Sequence, residues 1–150
     1  MYDQPRPNRA TPAMTFDQML EHVRYEGAHP TRERAAEAVH HVLAALGRQL
    51  TGDERVDLAQ ALPVEAALTL TAQIPDTEQL TGWGFVKDLA ERTGTTPAVA
   101  RWDIGAVLAV VTRLAGTDLL ARILHRLPDG YALLFGQAEL RQPQVRAVAA

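Results

Sequence analysis

Apolar side chains recur every three or four positions through most of this chain. The pattern is densest between Thr96 and Ala115, which reads TPAVARWDIGAVLAVVTRLA. Thr96 is a good N-cap, and Pro97 has its φ already set for the first helical turn. From Ile104 to Val111 every residue is apolar or Gly. A helix apolar all round is buried on most sides. This run is much shorter than the roughly 20 apolar residues that cross a bilayer, so it predicts a central core helix and no membrane segment.

The other elements follow from the same period. Thr15-Phe-Asp-Gln18 is a capping box, opening a helix with Phe16, Met19, Leu20 and Val23 on one face. Gly27 and Pro30 end it. Thr31 caps a second helix, whose stripe is Ala35, Val39, Val42, Leu43, Leu46 and Leu50, with Glu37, His41 and Arg48 opposite. Thr51-Gly-Asp-Glu54 reads as another capping box, starting a helix with Val56, Leu58, Ala59 and Leu62 inward. Pro63 starts a short helix through Leu70. Ile74 to Gly84, with its Pro and Gly residues, reads as a connector. Phe85 opens a helix stopped by Gly94, and the central helix follows. Gly116-Thr-Asp118 turns the chain into a helix carrying Leu119, Leu120, Ile123, Leu124 and Leu127. After Pro128-Asp-Gly130, Tyr131, Leu133, Leu134 and Phe135 close the core.

Residues 31–70 align with 96–135 at a constant offset of 65, without a gap and with 11 identities in 40. Thr31 meets Thr96, Val42-Leu43-Ala44 meets Val107-Leu108-Ala109, and Leu62-Pro63 meets Leu127-Pro128. The stripe residues Val39, Leu46, Leu58 and Leu70 meet Ile104, Val111, Ile123 and Phe135. Duplication is the simplest reading. The expected architecture is all-α: a compact bundle of about six main helices built from two similar three-helix repeats, with helical pieces after each Leu-Pro. The repeats span about 15–75 and 80–136 of a single domain, 15–136. Residues 1–14, rich in Pro, read as a flexible tail, and 137–150 as a tail or frayed helix.

The alignment also exposes a difference. Trp102 stands where the first copy has Glu37, and Val110 where it has Ala45. The second copy is therefore apolar on a face that is charged in the first. Trp102 and Val110 are predicted to form either a joint between the halves or a self-association surface. Trp83, between two glycines, is expected to plug the seam between repeats.

Composition narrows the chemistry. The 150 residues contain no Cys, which removes disulfides, thiolate metal sites and Cys nucleophiles together. Formal charge is −3, with 7 basic and 10 acidic residues up to Pro75 and 8 of each beyond it. No basic tail or acidic block invites nucleic acid or an anionic membrane. The N-terminus lacks an apolar signal segment, so a cytoplasmic location is expected.

Candidate constellations are thin. Glu26-x-x-His29 and Glu37-x-x-His40 have the spacing of carboxylate-bridged metal bundles, but the second copy has Trp102 and Gly105 in place of Glu37 and His40. No metal, cofactor or catalytic residue is expected. Arg113, Arg122 and Arg126 could serve a helix-turn-helix reading, yet three arginines make a poor phosphate grip. That leaves a non-enzymatic interaction module with an unknown protein partner or self-association as the leading function. A nucleic-acid accessory factor, and an enzyme or ligand binder with a dispersed site, are the alternatives.

The sequence resembles the bacterial domain-of-unknown-function family numbered 2267 from about Phe16 to Phe135. The resemblance rests on Met19-Leu-x-x-Val23, the Val42-Leu43 helix, Ala61-Leu62-Pro63, Trp83, Phe85-x-x-x-Leu89-Ala-Glu-Arg-x-Gly94 and Leu127-Pro128-x-x-Tyr131-x-x-Leu134-Phe135. It implies the same all-helical tandem and supplies no activity or catalytic residue to carry over.

Overall fold

A computed structural model describes residues 13–138, which are all-helical with no strand among them. Seven helices follow one another: α1 (Phe16–Gly27), α2 (Arg32–Gln49), α3 (Gly52–Ala61), α4 (Val64–Thr71), α5 (Gly82–Thr93), α6 (Pro97–Arg126) and α7 (Tyr131–Leu134). The tail readings for 1–12 and 139–150 lie outside the described residues.

Local chemistry starts most of these helices as expected. Thr15 accepts from the Gln18 amide while the Gln18 side chain reaches back, completing the box that opens α1. Thr31 and Thr96 accept from Arg34 and Val99 amides at 3.1 and 3.2 Å. Thr51 departs from expectation: its side chain caps nothing. Glu54, the other half of that predicted box, instead faces Arg122 and Arg126 of α6. Two guanidinium groups outcompete one backbone amide for the carboxylate.

The predicted connector is shorter than expected. Thr81 caps α5 by accepting from the Gly84 amide at 3.1 Å, so Gly82, Trp83 and Gly84 form the first helical turn. Trp83 does not plug a seam; it is 60% exposed. The seam there is closed by backbone. Gly82 donates to Asp129 O at 2.8 Å, and a Cβ on Gly82 would lie 2.5 Å from the carbonyl carbon of Gly130. The close approach leaves no room for a side chain at Gly82, and Trp83, the next residue of the helix, lies on a different face.

Helix α6 is the axis of the molecule and packs against α1, α2, α3, α5 and α7. It bends at Gly116, whose φ of 84° and ψ of 165° are accessible to Gly at no steric cost. The two arms, 97–115 and 117–126, are the two helices predicted there. By length and composition α6 could cross a membrane, with a mean hydropathy of 1.6 over its most apolar window, which the shorter run 104–111 concealed. Ile104, Val107, Leu108, Val111 and Ile123 are buried in the core, while Val99 and Trp102 near its start are exposed. All eight paired stripe positions of the sequence alignment are buried, from Val39 and Ile104 to Leu70 and Phe135, in one continuous cluster.

Arg55 of α3 supplies a tie that periodicity does not reveal. Its guanidinium donates to Gly47 O and to Leu50 O at 2.9 Å, near the end of α2, and to Leu70 O and Thr71 O at the end of α4. One cation thus satisfies the orphan carbonyls of two helices that end side by side.

Candidate functional site

The end of α1 builds a largely buried polar contact between the two halves of the chain. Ala28 takes the left-handed conformation, with φ of 51°, and the following amide of His29 returns to Arg24 O at 2.9 Å. This turn folds the His29 ring back over Gly27. A Cβ on Gly27 would lie 2.4 Å from the ring carbon Cε1, so only Gly allows the ring to rest there. Threonine 31 then starts α2 and places Arg34 one turn into it.

From α6, Asp103 reaches both groups. His29 Nε2 lies 3.0 Å from Asp103 Oδ1, and Arg34 Nη2 donates to Asp103 Oδ2 at 2.8 Å. A carboxylate only accepts, so His29 presents Nε2–H to it. Nδ1 is buried and meets no partner. An Asp-oriented imidazole with a free nitrogen is half of a nucleophile-activating arrangement. Here the free nitrogen lies 2.9 Å from where a Gly27 Cβ would stand, and no hydroxyl reaches it. The cluster binds α6 to the turn between α1 and α2.

Beside Asp103, a cavity of about 190 Å³ opens between α2, α5 and α6, with Arg34, Glu37, His41, Thr93 and Thr95 among its walls. Its charges are already matched. Arg34 serves Asp103 and stands 3.9 Å from Glu37.

The residue before Asp103 on α6 points the other way. Trp102 donates its indole N–H to Gly27 O at 2.8 Å, yet the side chain is 60% exposed. Arg113 and Glu26 add a further tie between α6 and α1 at 3.2 Å. Trp102 therefore contacts the first half at one edge and leaves much of its surface in water. Val110 does not share this face with it, being fully buried. Trp102 and Val110 therefore do not form one open face: two turns of helix carry Val110 under the packed helices, as a joint would, while Trp102 stays open. Around Trp102 lies a shallow trough of about 450 Å³, lined by Glu26, Ala98, Arg101, Gly105 and Ala106.

The remaining candidates are dispersed. Glu26 pairs with Arg113 and His29 with Asp103, so the first Glu-x-x-His spacing is taken apart by other partners. His40 and His41 are exposed and meet edge to face, with centroids 5.9 Å apart. Among the described residues no three His, Asp or Glu side chains converge on a metal position. Arg122 lies 2.8 Å from Asp57, and Arg126 lies 3.0 Å from Glu54.

The sequence reading missed the Asp103 cluster. A signal was present: Asp103 directly precedes the apolar run 104–111 and aligns with Ala38, a residue on the buried side of the first copy. A charge at such a position needs a partner.

None of the curated proteins matches the chain. A family model described as "Uncharacterized conserved protein (DUF2267)" matches residues 16–134, from the first residue of α1 to the last of α7. With most of its length matched, and all of its described helices within that range, the chain belongs to the DUF2267 family.

Proposed function

We propose that this protein is a non-enzymatic helical interaction module that presents the face of α6 around Trp102 to a protein partner. The observation that carries the reading is the state of Trp102. Its orientation is set by the bond to Gly27 O, while 60% of its surface is open. A large aromatic held in place before binding loses little rotamer entropy when a partner covers it, and Trp is enriched among the residues that dominate binding energy. The duplication belongs to the same proposal: two copies of one helical pattern supply the core, and the second copy has exchanged a charged face for this one. Buried stripe residues at matching positions in both halves support it.

The nucleic-acid alternative has less to work with. Arg113, Arg122 and Arg126, the cations it requires, each have a carboxylate within 3.2 Å. A phosphate would have to displace those partners.

The test is a photo-crosslinking residue placed in the full chain at position 102 in living cells, with Ile74 as the control. Ile74 is exposed too, at 83%, but lies between α4 and α5 in the chain. One discrete adduct specific to position 102 is expected. No adduct, or the same products from both positions, would overturn the reading.

A further inference from the structure

The trough beside Trp102 contains a glycine that packing does not explain. Gly105 lies inside α6 with ordinary helical geometry, where Gly is a poor helix former. A Cβ there would meet only the tip of Arg101, at 3.1 Å, and that side chain is free to swing. No backbone or core contact calls for Gly at this position. What the missing side chain does is open the floor of the trough. Ala98, Trp102, Gly105 and Ala106 lie on one face of the helix, one and two turns apart.

The charge at this trough is unmet. Arg101 lines it, with its guanidinium tip resting over Gly105, and, among the described residues, is the one arginine with neither an ion pair nor a hydrogen bond. The others are held by carboxylates, carbonyls or the Gln73 side chain. Glu26, the acid on the opposite rim, is already taken by Arg113 at 3.2 Å. An open aromatic wall, a floor of small residues and one free cation define a complementary shape and charge.

Resting on the interaction-module reading, we infer that this trough docks an acidic peptide segment of a partner protein. The segment carries a bulky apolar side chain next to an Asp or Glu. The apolar side chain lies over Gly105 against Trp102, and the carboxylate pairs with Arg101. The guanidinium geometry suits a bidentate carboxylate contact, and the fixed indole supplies the apolar area.

The experiment selects binders to the full chain from a displayed library of random peptides about 12 residues long. The preferred peptide is then titrated by fluorescence anisotropy against the wild type and two variants. Enrichment of Asp or Glu beside Leu, Ile or Phe is expected. Gly105→Leu fills the floor and Arg101→Glu reverses the rim charge; each should weaken binding about tenfold or more, as loss of an interface anchor does. Both variants should keep the wild-type circular dichroism. Should Gly105→Leu fail to fold, Arg101→Glu, on an exposed side chain, carries the test alone. Selected peptides without acidic residues, or binding unchanged in a folded variant, overturn this inference while leaving an interaction surface elsewhere open. No selectable peptide, together with no adduct at position 102, overturns both.

Discussion

Tyr131 carries its hydroxyl into the core with nothing to receive it. The side chain is 1% exposed, packs edge to face on Phe85 with centroids 5.3 Å apart, and its oxygen has no hydrogen-bond partner. Burial, with a lesser push from Asp88, holds its pKa well above that of an ordinary phenol. The linkage has a definite sign. A group whose folded pKa is raised stabilises the fold below its unfolded value and loses that contribution as pH rises past it. Stability should therefore fall by up to about 1.4 kcal/mol per pH unit above a pH of about 10. Tyr131→Phe removes both the unpaired hydroxyl and this loss. Urea denaturation should find the variant within about 1 kcal/mol of wild type at neutral pH, and more stable than wild type in alkali. A large loss at neutral pH would mean that the hydroxyl has a partner. Asp103 presents the opposite case. Asp103→Ala strands His29 and Arg34 together and should cost about 2–3 kcal/mol, since hydrogen bonds to charged groups are worth about 1.5–3. Glu37→Ala, on the exposed face, should stay within about 0.5 kcal/mol of wild type.

At the scale of the element, α6 combines two requirements that pull apart. Its core face must be continuous for α1, α2, α3, α5 and α7 to pack on, and the face with Trp102 and Gly105 stays open. Gly105→Ala should raise stability by about 0.5–1 kcal/mol, the usual difference between Gly and Ala inside a helix. A thermal melt that falls instead would show a packing role for the glycine. Helices of this kind were legible in the sequence because caps and stripes are local: Thr15, Thr31 and Thr96 act on amides three residues away. Thr51 was misread because Glu54 answers to arginines 68 and more positions along. The start of α5 was missed because Gly82 and Trp83 look like a loop, and only the contact with Gly130 shows why a glycine belongs there. Trp102 could be found by comparing the two copies. The His29–Asp103 pair spans 74 positions, and no local pattern encodes a contact of that range.

For the whole molecule, both halves contribute to one apolar cluster, and α6 from the second half packs on α1, α2 and α3 from the first. Separated, each half would expose the surface it shares with the other. Fragments 15–75 and 80–136 are expected to show no cooperative melt as monomers, because a chain of about 60 residues buries only about 60% of its unfolded surface even when complete. A two-state melt of either fragment would contradict this. The proposed interaction role requires Trp102 to be held for binding and not for stability. Urea denaturation of Trp102→Ala in the full chain separates the two most directly. A loss of about 1–2 kcal/mol is expected, for one backbone hydrogen bond and a partly covered ring. A loss of about 4 kcal/mol or more, as when a fully buried Trp is removed, would make this residue a structural joint and contradict the account.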